Sequence, residues 1–168
     1  GSTQRQQKLG LEFSQNQFLE LQDYASKNEI EFSASAWDED SFNFLESMNL
    51  PFHKVASAFI TNLNYLNLVA SKKRLTLIST GMSRMEDIDS AVNIFRSLNC
   101  PFILLHSVST YPAKLEDLNL LMISTLKEKY QCVVGYSGHE SSVSPSIVAG
   151  AFGAKVIERH FTLDRSMY

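Results

Sequence analysis

Residues 132–162, CVVGYSGHESSVSPSIVAGAFGAKVIERHFT, decide the fold. The stretch opens on one apolar run, Cys132–Ser137, and closes on another, Ala154–Thr162. Runs with so few polar interruptions suit parallel strands covered on both faces. Between them Ser144-Pro145 reads as a helix N-cap followed by proline at the first helical position. Ile147, Val148 and Ala151 then continue at helical spacing. Strand, helix and strand in this order make a βαβ unit, and a βαβ unit implies a parallel sheet.

The same alternation extends toward the N-terminus. Ile30–Ala36, Phe52–Ser57, Leu75–Thr80 and Phe102–Ser107 are further apolar runs, which brings the predicted strands to six. Helical stretches separate them. Ser14 and Gln17 form a capping box ahead of Phe18, Leu21 and Tyr24, and Ser83 with Glu86 forms a second ahead of Ile88, Val92 and Phe95. Asp38 caps a helix carrying Phe42, Leu45 and Met48, and weaker helices cover Leu63–Ser71 and Asn119–Lys129. Two closures fit this order: an open doubly wound sheet, or a (β/α)₈ barrel, which needs eight strands and about 250 residues. Periodicity does not choose between them.

Composition narrows the function classes. The chain has 168 residues, 44% hydrophobic and 20% charged, and a net charge of -3, which gives no electrostatic reason to expect nucleic acid. No apolar run approaches the ~20 residues of a membrane span. The N-terminus, GSTQRQQK, is polar and lacks a signal-peptide pattern, and Gly1-Ser2 reads as a cloning scar. Cys100 and Cys132 belong to no CxxC motif, so they read as two free buried thiols in a reducing, cytoplasmic setting.

Polar residues collect at the C-terminal ends of the predicted strands: Ser35, Ser57, Ser79 to Gly81, Ser107, Ser109, Ser137 to Glu140, His160 and Thr162. Ligands bind at that edge in parallel α/β folds. Lys54 lies within a strand, where a charge needs a phosphate or carboxylate partner, or else a stem long enough to lift its amine into water. His139 and His160 close consecutive strands. With Glu140 and Glu158 beside them they could hold a divalent metal; alternatively, they are structural histidines. His53 reads as a surface residue at a strand start, and His106 as either a barrel residue or one that supports the site from behind. Ser79-Thr80-Gly81 can form a turn that cradles an oxyanion, without the spacing of a nucleotide loop. Arg159, between two site residues on one strand, should face the other way and join a structural ion pair.

The segments FSASAWDEDS, PFHKVAS, LISTGMS, LLHSVSTYP, DLNL, VGYSGHE and VIERHFTLDRSMY, taken in order from Leu11 to Tyr168, resemble the sialic acid synthase family. That family includes N-acetylneuraminate, N-acylneuraminate-9-phosphate and legionaminic acid synthases. The resemblance implies a TIM barrel, with residues 3–168 supplying the third to eighth strands of a partial catalytic domain. The first two strands and a C-terminal antifreeze-like domain, which completes a partner subunit's site in a homodimer, are not in this sequence. It implies a transferase that condenses phosphoenolpyruvate with N-acetylmannosamine, or a related N-acylated sugar or its 6-phosphate, giving a nonulosonic acid and phosphate. A fragment that binds phosphate ligands without turnover is the alternative. By motif, Ser35, Lys54, Ser57, Ser79, Ser109 and Ser137 would hold phosphoenolpyruvate, and His139 and His160 would hold Mn²⁺ or Mg²⁺. The resemblance gives Lys54, His139 and His160 the catalytic roles. Gly138 departs from the aspartate that many bacterial members carry, which leaves the sugar open.

Overall fold

A computed structural model describes residues 3–164 and 166. Gly1 and Ser2, expected as a cloning scar, and the Arg165, Met167 and Tyr168 positions of the last motif lie outside the described residues. The chain divides into two compact units, Gly1–Pro51 and Phe52–Tyr168.

The first unit is helical. It comprises α1 (Gln4–Leu11), α2 (Gln15–Lys27) and α3 (Glu39–Ser47). Ser14 and Gln17 form the expected box, with the Ser14 N–H donating to Gln17 Oε1 at 2.8 Å. Asp38 caps α3 by accepting the Ser41 N–H at 2.7 Å, and that bond lowers the Asp38 pKa. The Phe18 ring is the hub, meeting Phe13, Phe32 and Phe44 at centroid distances of 6.1, 6.4 and 6.2 Å. Ile30–Ala36, expected as a strand, is extended chain with a single bridge residue at Ser35. Its small residues Ser33, Ala34, Ser35 and Ala36 bring little side-chain surface to a ladder, and pairing shrinks to one position.

The second unit repeats strand and helix: β1 (His53–Val55), α4 (Leu63–Ser71), β2 (Thr76–Ser79), α5 (Met85–Ser97), β3 (Phe102–Ser107), α6 (Met122–Tyr130), β4 (Val134–Gly138), α7 (Ser144–Ala151) and β5 (Ile157–Arg159). All four strand pairings are parallel, and the spatial order is β1-β2-β3-β4-β5. A doubly wound sheet reverses its order at a switch point, whereas this sheet runs on in one direction, as a (β/α) barrel does. Five strands stand where six were expected, the difference being the segment around Ser35.

Register assigns the faces. Lys54 pairs with Leu77, Ser79 with Leu105, Ser107 with Ser137, and Ser137 with Glu158. Since side chains alternate along each strand, these residues share one face. The other face carries Val55, Ile78, Leu104 and Tyr136, each no more than 1% exposed. There α6 packs on β3 and β4, and α7 on β4. Each fully buried aliphatic side chain contributes about 1.5–3 kcal/mol. Phe95 of α5 stacks edge-on against Phe102 at 5.9 Å.

Helix ends follow a common rule. After α4, α5, α6 and α7 the chain passes through a positive-φ residue, Lys73, Asn99, Gln131 and Gly153 in turn. In α5 and α7 the stop is closed by Cys100 N–H to Phe95 O at 2.8 Å and Ala154 N–H to Ala149 O at 3.0 Å, the six-to-one bond of a Schellman cap. Two starts differ from expectation by one residue. Arg84, not Ser83, caps α5, because Asp87 takes the Arg84 N–H at 2.8 Å and the Ser83 hydroxyl donates to Thr80 O at 2.6 Å. At α7, Val143 is the cap and Ser144 the first helical residue. Cys100 and Cys132 are free; Cys100 is buried and Cys132 half-buried. Among the described residues no helix is long and apolar enough to cross a membrane.

Gly135 fixes the approach of β4 to the segment leading into β5. A Cβ there would stand 2.5 Å from Val156 O and 2.6 Å from Leu105 Cδ2. Overpacking of this kind costs about 1–3 kcal/mol. Gly135→Ala should therefore lower the midpoint of thermal unfolding by about 2–12 °C. An unchanged melting curve by circular dichroism would contradict this packing.

Candidate functional site

The polar face of the sheet is an assembled cluster. The Lys54 amine donates to Ser79 Oγ at 2.7 Å and lies 3.4 Å from Val55 O and 3.7 Å from Glu158 Oε1. Its side chain is 13% exposed, so the amine does not escape to water. Burial lowers the Lys54 pKa, and the Glu158 charge opposes that shift. Glu158 also accepts the Ser137 hydroxyl at 2.6 Å. Lys54 and Ser137 thus reach one carboxylate from strands at opposite sides of the sheet. Between them the buried Ser107 hydroxyl has no hydrogen-bond partner among the described residues.

Gly81 lies at the mouth of β2 between two of the expected serines. Its N–H donates to Ser57 Oγ at 3.0 Å, and a Cβ would strike Ser109 Oγ and come within 2.9 Å of Ser57 Oγ. The close approach of Ser57, Gly81 and Ser109 is possible only without a side chain at Gly81. The Gly81 amide is therefore spent on Ser57. Thr80 is spent as well, its N–H and hydroxyl donating to Leu105 O at 3.0 and 3.1 Å.

The two site histidines stand at adjacent strand ends. Gly138 pairs with Arg159, which sets His139 beside His160 on the face of Ser137 and Glu158. Their ring centroids are 5.4 Å apart. Ser137, Gly138, His139, Glu158, Arg159 and His160 line a hollow of about 240 Å³. Val108 O lies 2.6 Å from His139 Nδ1. A carbonyl only accepts, so Nδ1 carries a proton, and the neutral tautomer that this bond selects has its lone pair at Nε2. Nε2 faces the Tyr111 hydroxyl at 2.8 Å. The Tyr111 ring lies 4.1 Å from His139 and 5.5 Å from His160, and burial, then Glu158, raises its pKa.

Ser35 belongs to the first unit. There it lines a hollow with Phe18, Trp37, Asp38 and Phe44.

Several expectations need correction. His53 is buried, 4% exposed, rather than at the surface, because it begins a strand that is covered from its first residue. His106 is a barrel-strand residue, one of its two expected readings, but lies on the helix-covered face, donating to Leu118 O at 2.7 Å, where burial lowers its pKa; the other reading, support of the site, falls. Glu140 does not flank the histidines. It turns to the opposite face and pairs with Arg159, the structural ion pair expected of that arginine. Among the described residues no group of three or more His, Cys, Asp and Glu converges on one point.

Tyr111, the Val108 carbonyl and the Glu158 link to Lys54 were not singled out from sequence, and Ser107 was read only as one of the polar residues at the strand ends. Glu158 had a signal: Ser137-Gly-His139 and Glu158-Arg-His160 have the same spacing, and alternation makes Glu158 the counterpart of Ser137.

Comparison with known proteins places these features in a wider set. The model of the NeuB family matches residues 1–168. N-acetylneuraminate-9-phosphate synthase of Homo sapiens is 42% identical over 167 residues, covering 99% of this chain and 46% of that protein. N,N'-diacetyllegionaminic acid synthase of Legionella pneumophila is 38% identical over 171 residues, covering 99% of this chain and 48% of that protein. The chain thus spans about half the length of the curated relatives it matches. The crystal structure of the N-acetylneuraminic acid synthetase of Leptospira borgpetersenii, in complex with citrate, superposes with a TM-score of 0.90 at 38% identity, over 92% of this chain and 54% of that one. Phospho-2-dehydro-3-deoxyheptonate aldolase of Thermotoga maritima, at 15% identity and a TM-score of 0.72 over 86% of this chain and 45% of that one, shares the fold.

The lowered Lys54 pKa gives a stability test. Between its folded value and the ordinary 10.5, the unfolded chain binds more protons than the folded one, so stability rises with pH. Lys54→Met removes that contribution. In urea denaturation the parent chain should therefore gain stability relative to the variant as pH is raised toward 10.5. A pH-independent difference would mean that burial does not strain this amine.

Proposed function

This chain belongs to the NeuB family, and on that basis we propose that it is the phosphoenolpyruvate- and metal-binding part of a nonulosonic acid synthase. The reaction joins phosphoenolpyruvate to N-acetylmannosamine, or to a related N-acylated sugar or its 6-phosphate. The methylene carbon of the enol attacks the sugar's aldehyde carbon, water adds at the carbon that carries the phosphate ester, and phosphate leaves from that carbon. One observation carries the reading: Lys54 and Ser137 already converge on a single oxyanion, the Glu158 carboxylate. A cation and hydroxyl donors arranged around one carboxylate suit the phosphate or carboxylate of phosphoenolpyruvate equally well.

The chain's own groups then have defined tasks. Lys54 supplies the point charge, and Ser79 holds its amine in place. Ser137 and the unpaired Ser107 hydroxyl supply donors on the same face. Ser57 and Ser109 flank Gly81 at the edge where the ligand would enter. Positioning and fixed charge in a half-buried cluster are the contribution, since the carbon chemistry is that of the substrate.

His139 and His160 suit Mn²⁺ or Mg²⁺. The fit rests on the Val108 carbonyl, which holds the Nδ1 proton of His139 as in metal-bound imidazoles; Nε2 would become a ligand atom on displacing the Tyr111 hydroxyl that it now meets at 2.8 Å. When bound, the ion would polarise the sugar's aldehyde as a Lewis acid. Two imidazoles leave the remaining positions to substrate and water, so binding should be modest.

Phosphate release from phosphoenolpyruvate, N-acetylmannosamine and Mn²⁺ tests the reaction, and equilibrium binding of phosphoenolpyruvate tests the site when release is absent. Lys54→Ala should weaken phosphoenolpyruvate binding about 10- to 100-fold, the cost of one charged hydrogen bond. Unchanged binding would remove Lys54 from the site. His160→Ala should abolish Mn²⁺-dependent release, and normal release at saturating Mn²⁺ would refute the metal assignment. Binding without release would favour a binding-only fragment.

A further inference from the structure

Behind the two histidines, on the opposite face of the sheet, a charge cluster has no part in the proposed chemistry. The Glu140 side chain is 1% exposed and that of Arg159 24%. Arg159 Nη1 bonds Glu140 Oε1, and Nη2 donates to Glu140 O at 2.5 Å and Ser142 O at 3.2 Å. The Tyr136 hydroxyl donates to the other carboxylate oxygen, Oε2, at 2.7 Å. Both oxygens of a buried carboxylate are thus satisfied, as a buried charge requires. Gly138 makes room for this pair. A Cβ there would stand 2.5 Å from Arg159 Nη1 and 2.8 Å from both Glu140 Oε2 and Tyr136 Cε1.

The placement in the chain matters more than the strength of the pair. Glu140 directly follows His139, and Arg159 directly precedes His160. Consecutive Cα atoms are about 3.8 Å apart, so any slip between the two charged residues passes to the two imidazoles. Apart from the Glu158 carboxylate, which takes the Ser137 hydroxyl and faces Lys54 on the other side, little else holds β5. It pairs at three positions, with β4 alone among the described strands, and its Ile157 is 43% exposed. His139 has its own anchors in Val108 and Tyr111, whereas the His160 ring makes no hydrogen bond to any described residue.

We infer that the Glu140–Arg159 ion pair is the positioning element that sets the spacing of His139 and His160. Gly138, which leaves space for it, belongs to the same device. The inference rests on the proposed metal reading only where affinity is concerned; the spacing itself does not depend on it.

The test is NMR of the full chain labelled at histidine, with Mn²⁺ affinity measured by EPR titration. The parent should show a cross-peak between the His139 and His160 ring protons. Arg159→Met, if it melts within a few degrees of the parent, should lose that cross-peak and bind Mn²⁺ roughly tenfold more weakly. Arg159→Lys keeps the charge but not the planar fork, and should recover part of both. A full cross-peak in folded Arg159→Met, or none in the parent, overturns the inference. If Arg159→Met does not fold, Arg159→Lys decides: a weakened cross-peak supports the inference and an undiminished one overturns it. A parent that binds no Mn²⁺ defeats the metal reading, while the cross-peak still settles the positioning role.

Discussion

The register of the five parallel strands governs where every charged group of the second unit can go. Pairing is fixed to the residue, and side chains alternate, so each position has one available face. Lys54, Ser79, Ser107, Ser137 and Glu158 are spread over more than a hundred residues of sequence, yet they land on the same side. A slip of one residue in β1 would send Lys54 under the helices, among side chains that are no more than 1% exposed. The apolar packing of Val55, Ile78, Leu104 and Tyr136 therefore does more than stabilise the sheet. It holds the polar face in place by leaving it no other arrangement.

On that polar face the charges are few and interdependent. Lys54 is nearly enclosed, and its nearest carboxylate is partly exposed. The amine is strained by burial and only partly relieved by Glu158. Such an incompletely compensated cation can accept a second anion more readily than a fully paired one. The contrast with Glu140 is instructive. That carboxylate has an arginine, a tyrosine hydroxyl and almost no contact with water. One cluster is closed and structural, and the other has capacity left, although they lie on two sides of the same strand ends.

Much of this was legible in the sequence because it depends on short-range pattern. The βαβ alternation, the caps at Ser14 and Asp38, and the placement of polar residues at strand ends follow from spacing along the chain. Alternation alone assigned Arg159 to the reverse face. What spacing could not convey was competition for partners. Glu140 stood beside His139 in sequence, but Arg159 and Tyr136 offered its charge a better match than an imidazole did. Ser83 was a good cap by type, but Thr80 O took its hydroxyl. The Ile30–Ala36 segment had a strand's pattern without side chains large enough to sustain a ladder. His53 was misplaced because a strand covered from its first residue buries whatever residue starts it. The barrel's winding, too, lay outside periodicity; the family resemblance implied it, and the strand order bears it out.

The four left-handed stops at Lys73, Asn99, Gln131 and Gly153 have a consequence for how such a chain can diverge. They all lie at the strand-entry end, remote from the histidines and serines. Their demand is on backbone shape, and residues as different as lysine, asparagine, glutamine and glycine meet it. Residues at that end can therefore be exchanged under a conformational filter, while the opposite end is bound by the hydrogen bonds and charges of its own side chains. Backbone shape and side-chain chemistry thus constrain separate poles of the same sheet, and a change at one need not disturb the other.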